Sequence, residues 1–292
     1  MSMLSINAVQ EFKEVDKDQG VDRIYLYYKQ NSHTIQTAIQ SVDIIQTPSN
    51  GRLLFLDGVL QSSTQDEVIY HNALVHPLMH CLNYKQSILI LGGGEGATAR
   101  EVLRWNPATV HMVDYDKQFV EFMRKYGDDW SNGAFKDSRL RLIYEDAWKY
   151  MARGYVYDGV IIDLTDPDLY TQAWRGLIEL TLKCVKPKSG GFVMNAGLYQ
   201  PWNTKKLEKL LDIIKNLCMR NLHYKYYVYT AFIPSFAGEW TFIVVSHRSK
   251  FMVEPEFIKI IPQWIRRSIR ILPDSAIYGL SCGPITTPIR SE

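Results

Sequence analysis

Ser87-Ile88-Leu89-Ile90-Leu91-Gly92-Gly93-Gly94-Glu95-Gly96-Ala97-Thr98-Ala99-Arg100 is the stretch on which the fold turns. A short apolar run, of the kind that fills a strand buried on both faces, stops at a cluster of glycines, and a helix-like segment follows. Glycines at such a junction let the backbone approach a ligand closely, and the start of the helix offers unpaired N–H groups. Alone, the junction leaves several readings open. Gly92, Gly94 and Ala97 satisfy the G-x-G-x-x-G/A spacing of dinucleotide sites, and a tight turn without any ligand uses glycines too.

Downstream the same rhythm repeats. Strands expected at 87–92, 109–114, 139–143, 157–163 and 191–196 alternate with helices expected at 96–105, 116–127, 147–153, 171–185 and 203–219, the pattern of a parallel sheet with crossover helices. HYKYYVYTAF (223–232) and EWTFIVVSH (239–247) read as an antiparallel pair at its edge. Beyond Pro255, the basic run Arg266-Arg267-Ser268-Ile269-Arg270 reads as a solvated helix face. Upstream, DRIYLYYKQ, HTIQTAIQSVDIIQT and RLLFLDGVLQS are strand-like, punctuated by Gln30-Asn31-Ser32 and Pro48-Ser49-Asn50-Gly51, and so predict β-hairpins. DEVIYHNALVHPLMHCL then has helical apolar spacing with Asp66 and Glu67 at its start. The expected architecture is α/β: a Rossmann-like, doubly wound sheet over 85–292, after an N-terminal β-strand domain with a linking helix over 1–84.

Composition narrows the class. A chain of 292 residues, 46% hydrophobic, buries a sizeable core. With 33 Lys and Arg against 31 Asp and Glu the net charge is +2, too small a field to gather nucleic acid or an anionic membrane. Cys81, Cys184, Cys218 and Cys282 are scattered without metal-ligand spacing, which fits buried thiols in a reducing, cytoplasmic setting. No run of about 18 apolar residues predicts a membrane span.

Acids at strand ends carry the chemistry. Asp114 closes the second parallel strand, about 20 residues after the glycines, where an acid accepts hydrogen bonds from both ribose hydroxyls. Asp146, followed by Ala147, comes after the third strand, where an acid can accept from an adenine amino group; helix capping is the bland reading of both. Asp163-Leu164-Thr165-Asp166-Pro167 ends the fourth strand, and ligands of open α/β sheets bind beyond the carboxyl ends of strands, so both acids point at the site.

Taken together, LDGVLQSSTQDEVIYH (56–71), LILGGGEGATAREVL (89–103), VDYD (113–116), Asp146 and DLTDP (163–167) resemble the polyamine aminopropyltransferase family, the spermidine, spermine and thermospermine synthases, over nearly the whole chain. GGGEG, DLTDP, and Val228-Tyr229-Thr230 through Ile233-Pro234-Ser235-Phe236-Ala237 with Trp240 are most similar to the thermospermine synthases. The resemblance implies transfer of an aminopropyl group from decarboxylated S-adenosylmethionine, a co-substrate rather than a cofactor, to a polyamine, by a homodimer whose N-terminal hairpins contribute to the contact. It implies donor contacts from Gln46, Gln61, Gly92, Gly94, Glu95, Asp114, Asp146 and Ala147, with Glu95 receiving the donor's ammonium. Acceptor contacts fall to Tyr70, His71, Asp166, Phe236 and Trp240, and Asp163 is the base that orients and deprotonates the amine, partnered by Asp166.

The reaction explains the acids. Donor and acceptor are both cations, and a low-dielectric cleft must offset their repulsion. The attacking amine must also be neutral: an alkylamine of pKa about 10.4 pays about 4.6 kcal/mol to be the free base at pH 7. The leaving methylthioadenosine is a neutral thioether, so neither a general acid nor a metal is required, and the seven histidines show no metal-ligand arrangement.

Departures from the family bear on the acceptor. Asn72 follows Tyr70-His71 where many relatives have Glu, Asn195 stands where Gln is usual, and Phe236 replaces the Tyr of putrescine-using enzymes. The loop DLYTQAW (168–174) looks short for a gatekeeping loop, and Glu239 adds an acid expected to pair with the far ammonium of a long acceptor such as spermidine. An S-adenosylmethionine methyltransferase shares the glycine loop and adenosine acids, but its donor's carboxylate meets a repelling Glu95. A dehydrogenase leaves Asp146 and Asp163 without a role, and a non-catalytic paralogue leaves Asp163 and Asp166 without one.

Overall fold

The computed structural model describes residues 9–16, 20–167, 172–221, 223–247 and 269–271. Five antiparallel strands come first, as a meander in chain order: β1 (Val9–Asp16), β2 (Val21–Gln36), β3 (Ser41–Gln46), β4 (Arg52–Leu56) and β5 (Val59–Ser63). The predicted turn at 30–32 is instead an irregularity inside β2, which continues to Gln36 after the register shifts between Tyr28 and His33. Ser32 Oγ donates to Tyr28 O at 3.0 Å and holds that bulge. The chain reverses at Thr37, whose hydroxyl accepts from the Ile39 and Gln40 amides and donates to Asp116 Oδ2 at 2.7 Å.

α1 (Glu67–Cys81) leads into the second sheet. There β6 (Ser87–Gly92), β7 (Thr109–Asp114), β8 (Leu140–Tyr144), β9 (Gly159–Asp163) and β10 (Gly191–Leu198) run parallel, interleaved with α2 (Ala97–Leu103), α3 (Lys117–Tyr126), the single turn α4 (Asp128–Ser131), α5 (Ala147–Met151) and α6 (Gln172–Lys183). α7 (Lys205–Arg220) then leads to the antiparallel β11 (Tyr224–Ile233) and β12 (Gly238–His247). The strand order is β13-β11-β12-β10-β9-β6-β7-β8. β13 (Ile269–Ile271) corrects the basic helix expected there: Ile269 to Ile271 pair with β11, while 266–268 lie outside the described residues. The 168–171 part of the loop read as short also lies outside them.

Why the strands read as unbroken apolar runs is visible in their packing. Ile88, Ile90, Val110 and Met112 face the layer containing α1 and α2, whereas Leu89, Leu91, Val113 and Val160 face α5, α6 and α7. Successive side chains of a strand alternate between faces, so a sheet covered on both sides needs an apolar residue at every position. A third cluster, Val42, Ile44 and Leu54 against Phe119, Met123 and Trp130, fastens the N-terminal sheet to α3 and α4. Among the described residues no helix is long and apolar enough to cross a membrane.

Candidate active site

The strand order reverses between β6 and β9, and the crevice beyond their carboxyl ends is where open α/β sheets bind ligands. Gly92 closes β6 at φ +82°, and a Cβ there would lie 2.1 Å from the main-chain oxygen of Asp163. The Gly93 amide donates to that oxygen at 3.1 Å. The first glycine is therefore imposed by the neighbouring strand as much as by any ligand. At Gly94 a Cβ would meet the Phe119 ring at 2.5 Å and Asp114 Oδ2 at 2.7 Å, so this residue keeps the crevice open above the Asp114 carboxylate.

Asp163 is the centre of the site. Tyr70, from α1, donates to its Oδ1 at 3.1 Å, and Thr98, from the first turn of α2, donates to its Oδ2 at 2.5 Å. Burial, reinforced by the nearby charge of Glu95, pushes its carboxyl up to about 6 against the pull of His71 and both hydroxyls. Asp114 is pushed up to about 6 as well, again chiefly by burial, although the Asp116 amide donates to its Oδ1 at 2.9 Å. Burial and the charges of Asp163, Asp166 and Glu95 raise Tyr70 well above the ordinary phenol value, so it is a neutral donor.

His71 is buried between two carboxylates. Its Nδ1 is 2.7 Å from Glu67 Oε2 and its Nε2 is 3.0 Å from Glu95 Oε1. Burial alone would lower its pKa, but the hydrogen bonds and charges of Glu67 and Glu95 prevail and raise it to about 10. An imidazolium donating on both sides follows. The ligand atoms of His71, Glu95 and Asp163 lie within 4.8 Å of one another, a grouping that the spacing of the histidines in the sequence did not suggest. Glu67 is in turn gripped by Arg100 of α2 through two bonds of 2.9 Å.

On the other side of Asp163, Asn195 links two expected residues. Its amide nitrogen donates to Asp166 Oδ1 at 3.2 Å, while its oxygen accepts from Trp240 Nε1 at 2.8 Å and from the Gly197 amide at 2.8 Å. Trp240 packs on Phe236 with ring centroids 4.6 Å apart, and Tyr70 presents its ring edge-on to Phe236 at 6.3 Å. Asp166, Tyr70, Phe236 and Trp240 are thus brought together.

Other expected residues stand apart from this network. Asp146 caps α5 by accepting from the Lys149 amide at 2.9 Å, and Ala147 begins that helix. Gln46 and Gln61 are on the N-terminal sheet, donating to Thr47 O and Val59 O. Asn72 comes two residues after Tyr70, about 200° round the helix; its amide donates back to Val68 O at 2.8 Å, so it does not line an amine channel beside Asp163. Glu239 needs a correction of the same kind. It precedes Trp240 on β12 and projects from the opposite face, where its carboxylate accepts from Thr230 Oγ1 at 3.0 Å and from Arg270 at 2.5 Å.

Sequence reasoning missed Thr98, Glu67 and Arg100. The Glu67 and His71 spacing of four, which stacks side chains on one helix face, was the available signal; nothing local marks Arg100.

A spermine/spermidine synthase domain matches residues 67–254. The chain is 37% identical over 217 residues to a polyamine aminopropyltransferase of Aeropyrum pernix, covering 72% of this chain and 67% of that protein. It is 33% identical over 260 residues to polyamine aminopropyltransferase 1 of Hyperthermus butylicus, covering 85% and 83%. The spermidine synthase of Thermotoga maritima superposes with a TM-score of 0.76 at 21% identity, over 95% of this chain and 98% of that one. A spermidine synthase in complex with the transition-state analogue AdoDATO gives 0.75 at 21% identity, over 97% and 96%. Fold, strand-end acids and sequence agree, and the chain belongs to the spermine/spermidine synthase family.

Proposed function

We propose that the enzyme is a polyamine aminopropyltransferase using decarboxylated S-adenosylmethionine, with spermidine as the favoured acceptor. The observation that carries this reading is the cluster of half-buried acids, Asp163, Glu95 and Asp114, at the switch point. A negative cleft suits two cationic reactants and would repel the carboxylate of intact S-adenosylmethionine. In the reaction the acceptor nitrogen attacks the aminopropyl carbon next to the sulfonium. The C–N bond forms as the C–S bond breaks, and sulfur takes the electron pair, leaving neutral methylthioadenosine. Asp163, with both oxygens already oriented by Tyr70 and Thr98, accepts a hydrogen bond from the amine and takes up the one proton that the new C–N bond releases. Its raised pKa brings it closer to that task than an ordinary Asp. Glu95 holds the donor ammonium, Asp114 the ribose, and Asp166 the acceptor chain. Gln46, Gln61, Asp146 and Ala147 complete the donor contacts.

Preference for a longer acceptor rests on Phe236, a ring in place of a hydroxyl that packs against Trp240 and beside Tyr70. Incubation with decarboxylated S-adenosylmethionine and a panel of polyamines, reading methylthioadenosine release and product mass, is expected to show faster turnover of spermidine than of putrescine. The reverse order rejects the acceptor assignment, and methyl transfer from S-adenosylmethionine rejects the donor.

A homodimer is part of the proposal. On the outer face of the β1–β2 hairpin Ile24 and Leu26 are 63% and 52% exposed, a surface suited to pairing with a second copy. Light scattering should read twice the chain mass; a monomer at micromolar concentration overturns this. A cytoplasmic setting accords with Cys81, Cys184 and Cys218, which are not in disulfides.

A further inference from the structure

Asp66 occupies the N-cap position of α1, yet its side chain makes no cap hydrogen bond to the helix. Asp at this position ordinarily accepts from the amides of the first turn. Here both oxygens go instead to a residue 169 positions away: Oδ2 accepts from the Ser235 amide at 2.6 Å and Oδ1 from the Ser235 hydroxyl at 2.9 Å. Asp66 is 6% exposed, and a buried carboxylate must be satisfied by such bonds. Ser235 belongs to the short turn between β11 and β12, next to Phe236. That turn ends at Ala237, a non-glycine residue at φ +54°, a left-handed conformation that persists only where its surroundings enforce it. From the N-terminal sheet Arg23, itself held by Glu14 at 3.2 Å, reaches the Phe236 carbonyl at 3.5 Å.

Spacing on α1 gives the clamp its meaning. Asp66 and Tyr70 are four residues apart and share one face of the helix. The turn fastened to Asp66 therefore lies over Tyr70, whose hydroxyl holds Asp163. We propose that Asp66 is a positioning residue for acceptor selection: by binding both polar groups of Ser235 it sets the height of the Phe236 ring above Tyr70 and so the width of the acceptor pocket. This rests on the aminopropyl-transfer reading. The clamp touches neither Asp163 nor the adenosine acids directly, so its first effect falls on the Phe236 ring and the acceptor side.

Steady-state kinetics of Asp66→Ala, Ser235→Ala, Asp66→Asn and the double alanine variant test it, with donor and acceptor varied separately. Losing hydrogen bonds to a charged group is expected to raise the KM for spermidine about tenfold in either alanine variant, with the donor KM unchanged and the spermidine-to-putrescine preference narrowed. The double variant should be no worse than either single one. Asp66→Asn, which can still accept from the amide while donating to the hydroxyl, should restore most of the difference. Equal rises in both KM values, or an unchanged spermidine KM in Ser235→Ala, would overturn the proposal. Ser235→Ala decides the matter should Asp66→Ala not fold, because the lost group is a single hydroxyl on a half-exposed turn. Wild-type turnover with no acceptor would instead reject the parent reading. The latch is then read by amide exchange of Ser235, expected to be faster in Asp66→Ala than in wild type and refuted if the two are equal.

Discussion

Asp163→Asn is expected to lower kcat by about a thousandfold, within the range typical of a lost general base, while leaving the fold and donor affinity in place. The amide that replaces the carboxylate can still accept from one hydroxyl and donate to the other, because the Tyr70 and Thr98 protons rotate to suit. On the role proposed for Asp163, what disappears is the negative charge and the basicity that the attacking amine uses. The same residue sets a pH dependence. Asp163 must be ionised to act, so kcat/KM should fall as pH drops through about 6. Asp114 titrates near the same value, so the limb belongs to the coupled acids rather than to one of them. Stability follows the opposite sign. A carboxyl whose pKa is raised by folding contributes stability that is fully present below its unfolded pKa and lost as pH rises through about 6. At pH 7 ionised Asp163 costs the fold, and Asp163→Asn should melt no lower than wild type. Single-turnover rates and thermal melts of the pair check both statements; an inactive variant that also melts well below wild type would mean that the residue acts through structure.

The legibility of the chain follows from where each element is buried. β6 to β10 were readable because strands covered on both faces must be apolar throughout, and the glycines at 92–96 mark where the first one ends. β1 was not, because its outward Val9, Glu11, Lys13 and Val15 alternate with inward Phe12 and buried Glu14, which gives a mixed, charged string. Gln30-Asn31-Ser32 carries the residues of a turn but is held as a bulge, whereas the true reversal at Thr37 is closed by the Thr37 amide on Gln40 O and by the Thr37 hydroxyl, and has neither Gly nor Pro. In the site, acids at strand ends were legible because topology alone puts them at the rim. Glu239 was misplaced because one step along a strand reverses the face, and only the packed hairpin shows that Trp240 takes the inner one. The bonds from Arg100 to Glu67 and from Asn195 to Asp166 span 33 and 29 residues, a relation that no local pattern encodes.

Arg100→Leu is expected to destabilise the protein by about 3 kcal/mol or more, the cost of removing one partner from a buried ion pair. The guanidinium is 14% exposed and ties three helices together: it donates to both oxygens of Glu67 on α1 and to Glu101 Oε1 on α2, each at 2.9 Å, and to Trp130 O on α4. Glu101 also accepts from His76 Nε2 at 3.1 Å, whose other nitrogen accepts from Trp105. Without Arg100, Glu67 retains only His71 against its burial, and Arg100 is among the groups that hold Glu67 below the ordinary carboxylate range. The consequence reaches the site, because Glu67 orients His71 and His71 orients Glu95. A higher donor KM should therefore accompany the lost stability, which a surface ion pair worth at most about 1 kcal/mol would not produce. Arg100→Lys separates charge from shape: an ammonium preserves the sign but cannot fork onto Glu67 while reaching Glu101, so it should recover part of the stability and little of the donor affinity. Urea unfolding at equal midpoints for wild type and Arg100→Leu would show that the network contributes nothing, and the link from α2 through His71 to the donor pocket would fall with it.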